Sequence, residues 1–155
     1  LVEDHPYRVF GAQASGCSPV SQAFRSGQDF CTPVKPDTIA KSLAIGNPAD
    51  GPYALDVARR TSGAIADVTD EEVIEGIRLL AQTEGIFAET AGGVVVATYR
   101  KLLREGLIDP GAEVVLLNTG DGLKTLDAVA PTCQPTMTIA PSYAAFDAAY
   151  EGGAA

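Results

Sequence analysis

Short apolar runs separated by Gly- and Pro-containing turns divide the chain into alternating strand-like and helix-like segments. Tyr7–Gln13 reads as a strand, Gly63–Val68 alternates between apolar and polar residues, and Val114–Asn118 is a run rich in Val and Leu. A continuous apolar run of this length is typical of a strand buried in a parallel sheet that is covered on both faces. We therefore predict three strands at these positions.

Capping residues place helices between and after the predicted strands. Ser18 followed by Pro19 is a typical helix start, and Thr69 with Glu72 three residues later forms a capping box. An alternation of strands and helices predicts an α/β fold with a mainly parallel sheet flanked by helices. The predicted helices are Pro19–Ser26, Tyr53–Thr61, Asp70–Thr83, Thr90–Glu105 and Tyr143–Tyr150.

Residues 28–52 have no sustained period and contain four of the ten prolines. Asp37 or Thr38 is expected to cap a short turn of helix that runs through Lys41. A connection of this length inside a compact domain is usually either functional or disordered. The apolar residues within it, such as Ile39 and Leu43, favour a functional role.

Two glycine-containing turns could bind a ligand. The predicted strand ending at Asn118 is followed by Thr119-Gly120-Asp121-Gly122, where a hydroxyl and bare backbone N–H groups would lie beyond a strand end, the usual ligand position in open α/β sheets. The turn Ala14–Ser18 follows the first strand in the same way. From spacing alone, each turn is also explained as an ordinary connection between a strand and a helix.

A third candidate is Glu89, an acid immediately before a helix whose first turn contains Gly92 and Gly93. Two glycines in one turn cost about 1 kcal/mol each relative to alanine, so another part of the molecule or a ligand must approach this turn closely. Glu89 would either cap the helix or face a ligand, and the spacing does not decide between these roles.

Composition narrows the classes of function. The chain has 155 residues, of which 46% are hydrophobic, so it has enough length and apolar content for one domain with a real core. A formal net charge of −9 argues against nucleic acid or an anionic membrane surface as partner. Three widely spaced cysteines and a single histidine make a metal site improbable and fit a reducing, cytoplasmic setting. The sequence has no apolar run long enough to span a membrane.

With these features identified, the sequence resembles the C-terminal part of the threonine synthases, in the fold-type-II family of pyridoxal-phosphate enzymes. The Ile45-Gly46-Asn47-Pro48 run is more characteristic of threonine synthases than of the related dehydratases, and Asp121 replaces the more usual Asn. The resemblance covers most of residues 7–129. Four segments carry it in the family's order: Gln13–Pro19, Thr38–Pro48, Glu84–Gly93 and Asn118–Lys124.

The resemblance implies a lyase that cleaves a carbon–oxygen bond, converting O-phospho-L-homoserine and water to L-threonine and phosphate with pyridoxal 5'-phosphate as cofactor. It implies that residues 1–130 are a portion of the large domain's catalytic core and that residues 131–155 are a C-terminal tail. The Thr119 hydroxyl would hydrogen-bond the pyridine nitrogen. The implied cofactor-binding residues are Ala14, Ser15, Gly16, Glu89, Thr119 and Gly120.

The resemblance also implies that the catalytic lysine, which forms a Schiff base with the cofactor, lies upstream of this chain. Leu1 is not an initiator methionine and leads almost directly into a predicted strand, so we expect a fragment that is inactive alone, whose partner is the missing N-terminal portion. A homodimer is compatible with this arrangement. The alternatives are a serine or threonine dehydratase of the same fold and a non-catalytic α/β binding module. None of the lysines in this chain matches the catalytic position: Lys35, Lys41, Lys101 and Lys124.

Overall fold

The computed structural model describes residues 5–151 and has the α/β architecture that the sequence predicts. Three single turns of 3-10 helix, at Lys41–Leu43, Gly122–Thr125 and Ala130–Thr132, interrupt the loops. The strands are β1 (Phe10–Ala14) and β2 (Ala64–Val68); the helices are α1 (Pro19–Arg25), α2 (Gly51–Arg60), α3 (Asp70–Glu84), α4 (Thr90–Arg104), α5 (Leu126–Val129) and α6 (Tyr143–Glu151).

The two strands form a parallel pair in which Phe10 lies opposite Ala64 and Ala14 lies opposite Val68. The ladder extends past the end of β1, because the backbone N–H of Ser15 donates to the carbonyl of Val68 at 2.7 Å. Parallel strands need a crossover connection, and the long segment with α1 and α2 provides it. The predicted parallel sheet is therefore confirmed.

The capping residues act largely as predicted. Thr69 and Glu72 form a reciprocal capping box at the start of α3, and Gly85 ends that helix in the left-handed region with a φ of 68°. Pro19 occupies the first turn of α1, as expected. Ser18 is the N-cap residue of α1, as predicted, but its side chain makes no capping hydrogen bond, since its hydroxyl donates instead to the carbonyl of Ser15 at 3.3 Å.

Helices α3 and α4 pack closely against each other at two glycines. A Cβ at Gly76 would lie 2.5 Å from the carbonyl oxygen of Gly93, and a Cβ at Gly93 would lie 2.5 Å from that of Val73. The sequence predicts that some part of the molecule or a ligand lies close to the glycines in the first turn of α4. At Gly93 that neighbour is helix α3. This contact explains why α4 tolerates a residue of low helix propensity at position 93.

Helix α4 runs antiparallel to the strands across one face of the sheet. Val94, near its start, shares a buried cluster with the strand ends Ala14 and Val68. Leu102, near its end, packs in a different cluster, with Ala64 at the start of β2. The N-terminus of α4 therefore lies at the carboxyl edge of the sheet, where the turn after β1 also lies.

The prediction of a strand at Val114–Asn118 is wrong. Within residues 5–151 the sheet consists of β1 and β2 alone, and no strand pairs with this segment. Val115 and Leu117 are 80% and 72% exposed, whereas Val114 and Leu116 are half-buried. Apolar composition predicts an extended conformation, but a strand also needs a neighbour whose backbone groups pair with its own.

Asp67 on β2 is the centre of a partly buried charge cluster. Its carboxylate is 2.7 Å from the guanidinium of Arg25, and Lys101 donates to its backbone carbonyl at 2.7 Å. Burial alone would raise the pKa of Asp67, but hydrogen bonds from Arg25 and Ser21 and the charge of Arg25 outweigh it and hold the pKa below its ordinary value.

We expect Asp67→Asn to lower the free energy of unfolding by about 1–3 kcal/mol near pH 7, because the carboxylate loses charged hydrogen bonds. The folded-state pKa is lowered, so this stabilisation is complete above the unfolded-state value of 3.8 and is lost as the pH falls through the folded-state value. The difference between the variant and the wild type should therefore shrink on acidification. Urea unfolding near pH 7 and near pH 3 measures it. Asp29→Asn, at an exposed ion pair with Arg59, is the control, and a difference that is independent of pH would contradict the prediction.

Candidate functional site

The first candidate turn lies at the end of β1 and is tightly bonded. Ala14 is buried, and its carbonyl accepts a hydrogen bond from Cys17 N–H at 2.9 Å, which closes the turn around Ser15 and Gly16. Ser15 is exposed and Gly16 half-buried. Burial raises the pKa of the Cys17 thiol, so this side chain packs as a neutral thiol rather than as a reactive thiolate.

The long loop of residues 28–52, for which the sequence favours a functional role, is hydrogen-bonded to this turn. Asp37 N–H donates to the carbonyl of Gly16 at 2.9 Å, and a Cβ at Gly16 would overlap the Asp37 carbonyl oxygen. Asp70, at the start of α3, accepts from the Thr38 hydroxyl at 2.5 Å and from Ile39 N–H at 3.0 Å. Thr38 does cap a turn, by accepting from Ala40 N–H, although the helical turn starts only at Lys41.

The second candidate turn folds against the segment that leads into α4. Ala88 and Asp121 form an isolated antiparallel bridge, in which Glu89 N–H donates to Gly120 at 3.1 Å and Gly122 N–H donates to Phe87 at 2.9 Å. A Cβ at Gly120 would overlap the Glu89 carboxylate. Two of the predicted site residues, Glu89 and Gly120, are therefore in direct contact although they are distant in the sequence.

Glu89 precedes α4, but its side chain does not cap the helix. The capping hydrogen bond comes instead from Thr125, three residues after the second turn, whose hydroxyl accepts from Thr90 N–H at 3.1 Å. The Glu89 side chain is only 5% exposed, and its carboxylate lies 3.2 Å from the ammonium of Lys124. Sequence reasoning did not find this pair or the Thr125 cap, since neither follows from helical or strand spacing.

Thr119 is exposed at the start of the second turn. Asp121 is also exposed, and its carboxylate accepts from Leu123 N–H at 2.8 Å, so the charge stabilises its own turn. Near Glu89, the Thr90 hydroxyl is fully buried and has no hydrogen-bond partner among the described residues. A buried hydroxyl without a partner is unusual in a folded protein.

Both turns lie at the carboxyl edge of the sheet, because one follows β1 and the other covers the N-terminus of α4. Ligands in open α/β sheets bind beyond this edge. The arrangement brings neutral hydroxyls, backbone amides and one buried carboxylate to the same side of the molecule. Such a set can hold a flat polar ring, with hydroxyls to bond its heteroatoms and glycines to allow close approach.

Three comparisons with known proteins extend these observations. Residues 2–120 match the family model described as "Pyridoxal-phosphate dependent enzyme". The chain is 43% identical over 129 residues to a threonine synthase of Methanocaldococcus jannaschii, covering 83% of this chain and 32% of the relative. It is 37% identical over 138 residues to a threonine synthase of Methanosarcina acetivorans, covering 88% and 34% respectively. The chain thus spans about a third of the length of these curated relatives.

Solved structures show the same fold. The threonine synthase of Escherichia coli matches with a TM-score of 0.62 at 20% identity, covering 94% of this chain and 37% of that one. A fungal L-serine ammonia-lyase from Rhizomucor miehei matches with a TM-score of 0.63 at 22% identity, covering 82% of this chain and 41% of that one.

Within residues 5–151, no helix is both long enough and apolar enough to cross a membrane.

Proposed function

Since the chain belongs to the family of pyridoxal-phosphate dependent enzymes, we propose that it is the C-terminal portion of a threonine synthase. The observation that carries the proposal is the seating of the Thr119–Thr125 turn on the start of α4, which joins two of the segments shared with that class of enzyme. In this proposal, residues 1–130 are part of the catalytic core and residues 131–155 are a tail. The whole enzyme acts in the cytoplasm.

The residues at the carboxyl edge fit a pyridoxal ring. Thr119 is an exposed residue with a neutral hydroxyl beside a glycine, and the fully buried Thr90 hydroxyl nearby has no partner among the described residues. Ser15 and Gly16 present a turn with little side-chain bulk. These observations support Ala14, Ser15, Gly16, Glu89, Thr119 and Gly120 as the cofactor-binding residues of this portion.

When bound, pyridoxal phosphate supplies an electron-withdrawing ring that stabilises negative charge on the substrate. The residues of this chain bind and orient that ring. The Thr119 hydroxyl would hydrogen-bond the pyridine nitrogen and, being neutral, would not require the nitrogen to be protonated. Gly120 leaves room for the Glu89 carboxylate, which would lie at the wall of the ring site beside the second turn.

The proposed reaction converts O-phospho-L-homoserine and water to L-threonine and phosphate, so the substrate is a phosphate ester and the enzyme a carbon–oxygen lyase. The net charge of −9 on this chain repels the dianionic phosphate of the substrate. The phosphate must therefore be bound by groups outside this chain or by hydrogen-bond donors placed directly around it. The proposed partner is therefore the N-terminal portion of the same enzyme, which carries the lysine that anchors the cofactor covalently.

The full-length enzyme tests the proposal. We expect it to release phosphate and threonine from O-phospho-L-homoserine and to form no pyruvate from L-serine. Thr119→Val, which removes only the hydroxyl, should weaken pyridoxal-phosphate binding about tenfold, equivalent to one lost hydrogen bond at about 1.4 kcal/mol. The binding is measured by fluorescence titration of the apoenzyme.

Thr83→Val, at an exposed position late in α3, is the matched control and should leave the affinity unchanged. Rapid pyruvate formation from L-serine, with no phosphate released from O-phospho-L-homoserine, would favour a dehydratase. No pyridoxal-phosphate binding by the wild-type enzyme would favour a binding module.

A further inference from the structure

The carboxylate of Glu89 is buried at the start of α4 but does not cap this helix. A residue directly before a helix usually caps it, and glutamate is not among the side chains favoured for this. In this chain Thr125 accepts the Thr90 N–H instead, and the Glu89 side chain makes no capping bond. Its carboxylate is therefore held for a reason other than helix stability.

Lys124 provides the nearest compensating charge. Its ammonium lies 3.2 Å from one carboxylate oxygen of Glu89, and Gly120 lies against the other. Both contacts come from the same turn, which is itself bonded to the Glu89 backbone through Gly120. The turn thus contacts Glu89 by a hydrogen bond to its main chain, by an ion pair at one carboxylate oxygen and by close packing of Gly120 against the other.

The two members of the pair differ in exposure, and this decides what the contact does. Lys124 is 62% exposed, so the ion pair contributes little to the stability of the fold on the side of the lysine. Glu89 is only 5% exposed, and its buried carboxylate is expected to move when it loses the cation beside it. Removing Lys124 therefore changes the position of Glu89 more than it changes the stability of the fold.

We propose that Lys124 is a positioning residue, which holds the Glu89 carboxylate in place at the wall of the cofactor site. This inference rests on the proposed function of that site. Lys124 itself does not react; it acts through Glu89, and Gly120 leaves the space that the carboxylate needs. The consequence is that a cation at position 124 should influence the bound cofactor without touching it.

The experiment uses the full-length enzyme loaded with pyridoxal phosphate. Lys124→Gln should lower kcat about tenfold to a hundredfold, as displaced site groups do, and should shift the visible absorption band of the bound cofactor. Lys124→Arg keeps the cation and should restore both kcat and the absorption band. Lys35→Gln removes an exposed lysine of the long loop and should change neither.

A double-mutant cycle separates positioning from a general structural effect. If Lys124 acts through Glu89, then Lys124→Gln should have little further effect in a Glu89→Gln background. Additive effects, or a Lys124→Gln enzyme with the wild-type spectrum and kcat, would overturn the inference while the proposed function stands. A wild-type enzyme that neither binds pyridoxal phosphate nor releases phosphate would instead contradict the proposed function.

Discussion

Residues 1–155 produced alone, and supplied with pyridoxal phosphate and O-phospho-L-homoserine, are expected to release no phosphate above the uncatalysed rate. The reaction needs a lysine that anchors the cofactor and transfers protons. Loss of a group with both roles is expected to remove most of the rate enhancement, because covalent attachment and proton transfer then fail together. The expected effect is therefore a complete loss of turnover rather than a change in KM.

The positions of the lysines support this expectation. The Lys41 ammonium donates to the Thr38 carbonyl at 2.6 Å, and the Lys101 ammonium donates to the Asp67 carbonyl at 2.7 Å. Lys35 is exposed in the long loop, and Lys124 is paired with Glu89. The ammonium groups of three of the four lysines thus make hydrogen bonds or ion pairs that account for their positions without a catalytic role.

Borohydride reduction followed by peptide mapping measures the covalent link directly. We expect no lysine of the isolated chain to retain the cofactor, whereas the full-length enzyme should retain it on an upstream lysine and turn over O-phospho-L-homoserine. Lys124 provides the sharpest contrary outcome, because it lies beside the proposed site. A cofactor fixed to Lys124, with turnover by the isolated chain, would contradict both the fragment interpretation and the positioning role.

Much of the fold follows from local sequence signals. The capping box of Thr69 and Glu72 and the proline at position 19 mark helix starts, because each satisfies a geometric need of the first turn. The outcome at Val114–Asn118, where a strand is predicted and none is found, could not be foreseen from these residues, since pairing depends on a neighbouring strand. Local composition favours a strand but does not determine whether another strand lies beside it.

The candidate site was only partly predictable for the same reason. Glycines at positions 16 and 120 indicate that something approaches closely, yet the sequence does not say what. The structure identifies Asp37 at the first and Glu89 at the second. The Thr125 cap on Thr90 joins residues 35 positions apart, a separation at which neither helical nor strand periodicity carries information.

Gly16→Ala is expected to destabilise the folded protein by about 3 kcal/mol or more, as forced overpacking against backbone does. The backbone at Gly16 is not left-handed, so the cause is space and not conformational preference. The added methyl group would overlap the carbonyl oxygen of Asp37, which cannot rotate away as a side-chain end could. Alanine reduces the entropy of the unfolded chain and returns only about 0.4–1 kcal/mol, so the overlap dominates.

The overlap also breaks the contact that fastens the long loop to the first turn. Asp37 N–H bonds the Gly16 carbonyl, and the adjacent Thr38 and Ile39 bond Asp70 of α3. A shift of Asp37 therefore moves the turn and the loop together, and we expect pyridoxal-phosphate affinity of the full-length enzyme to fall along with its stability.

Urea unfolding and fluorescence titration of the full-length enzyme measure the two effects of Gly16→Ala separately. Gly111→Ala is the matched control, because its Cβ would meet only the Asp109 carboxylate, at an ordinary contact distance of 3.4 Å. That variant should keep wild-type stability to within about 0.5 kcal/mol, as surface substitutions usually do. If Gly16→Ala is as stable as Gly111→Ala and binds the cofactor normally, then the loop does not rest on the turn as the structure shows. In that case the turn must have moved to make room for the methyl group without any effect on cofactor binding. Gly16 would then not form part of the cofactor site as proposed.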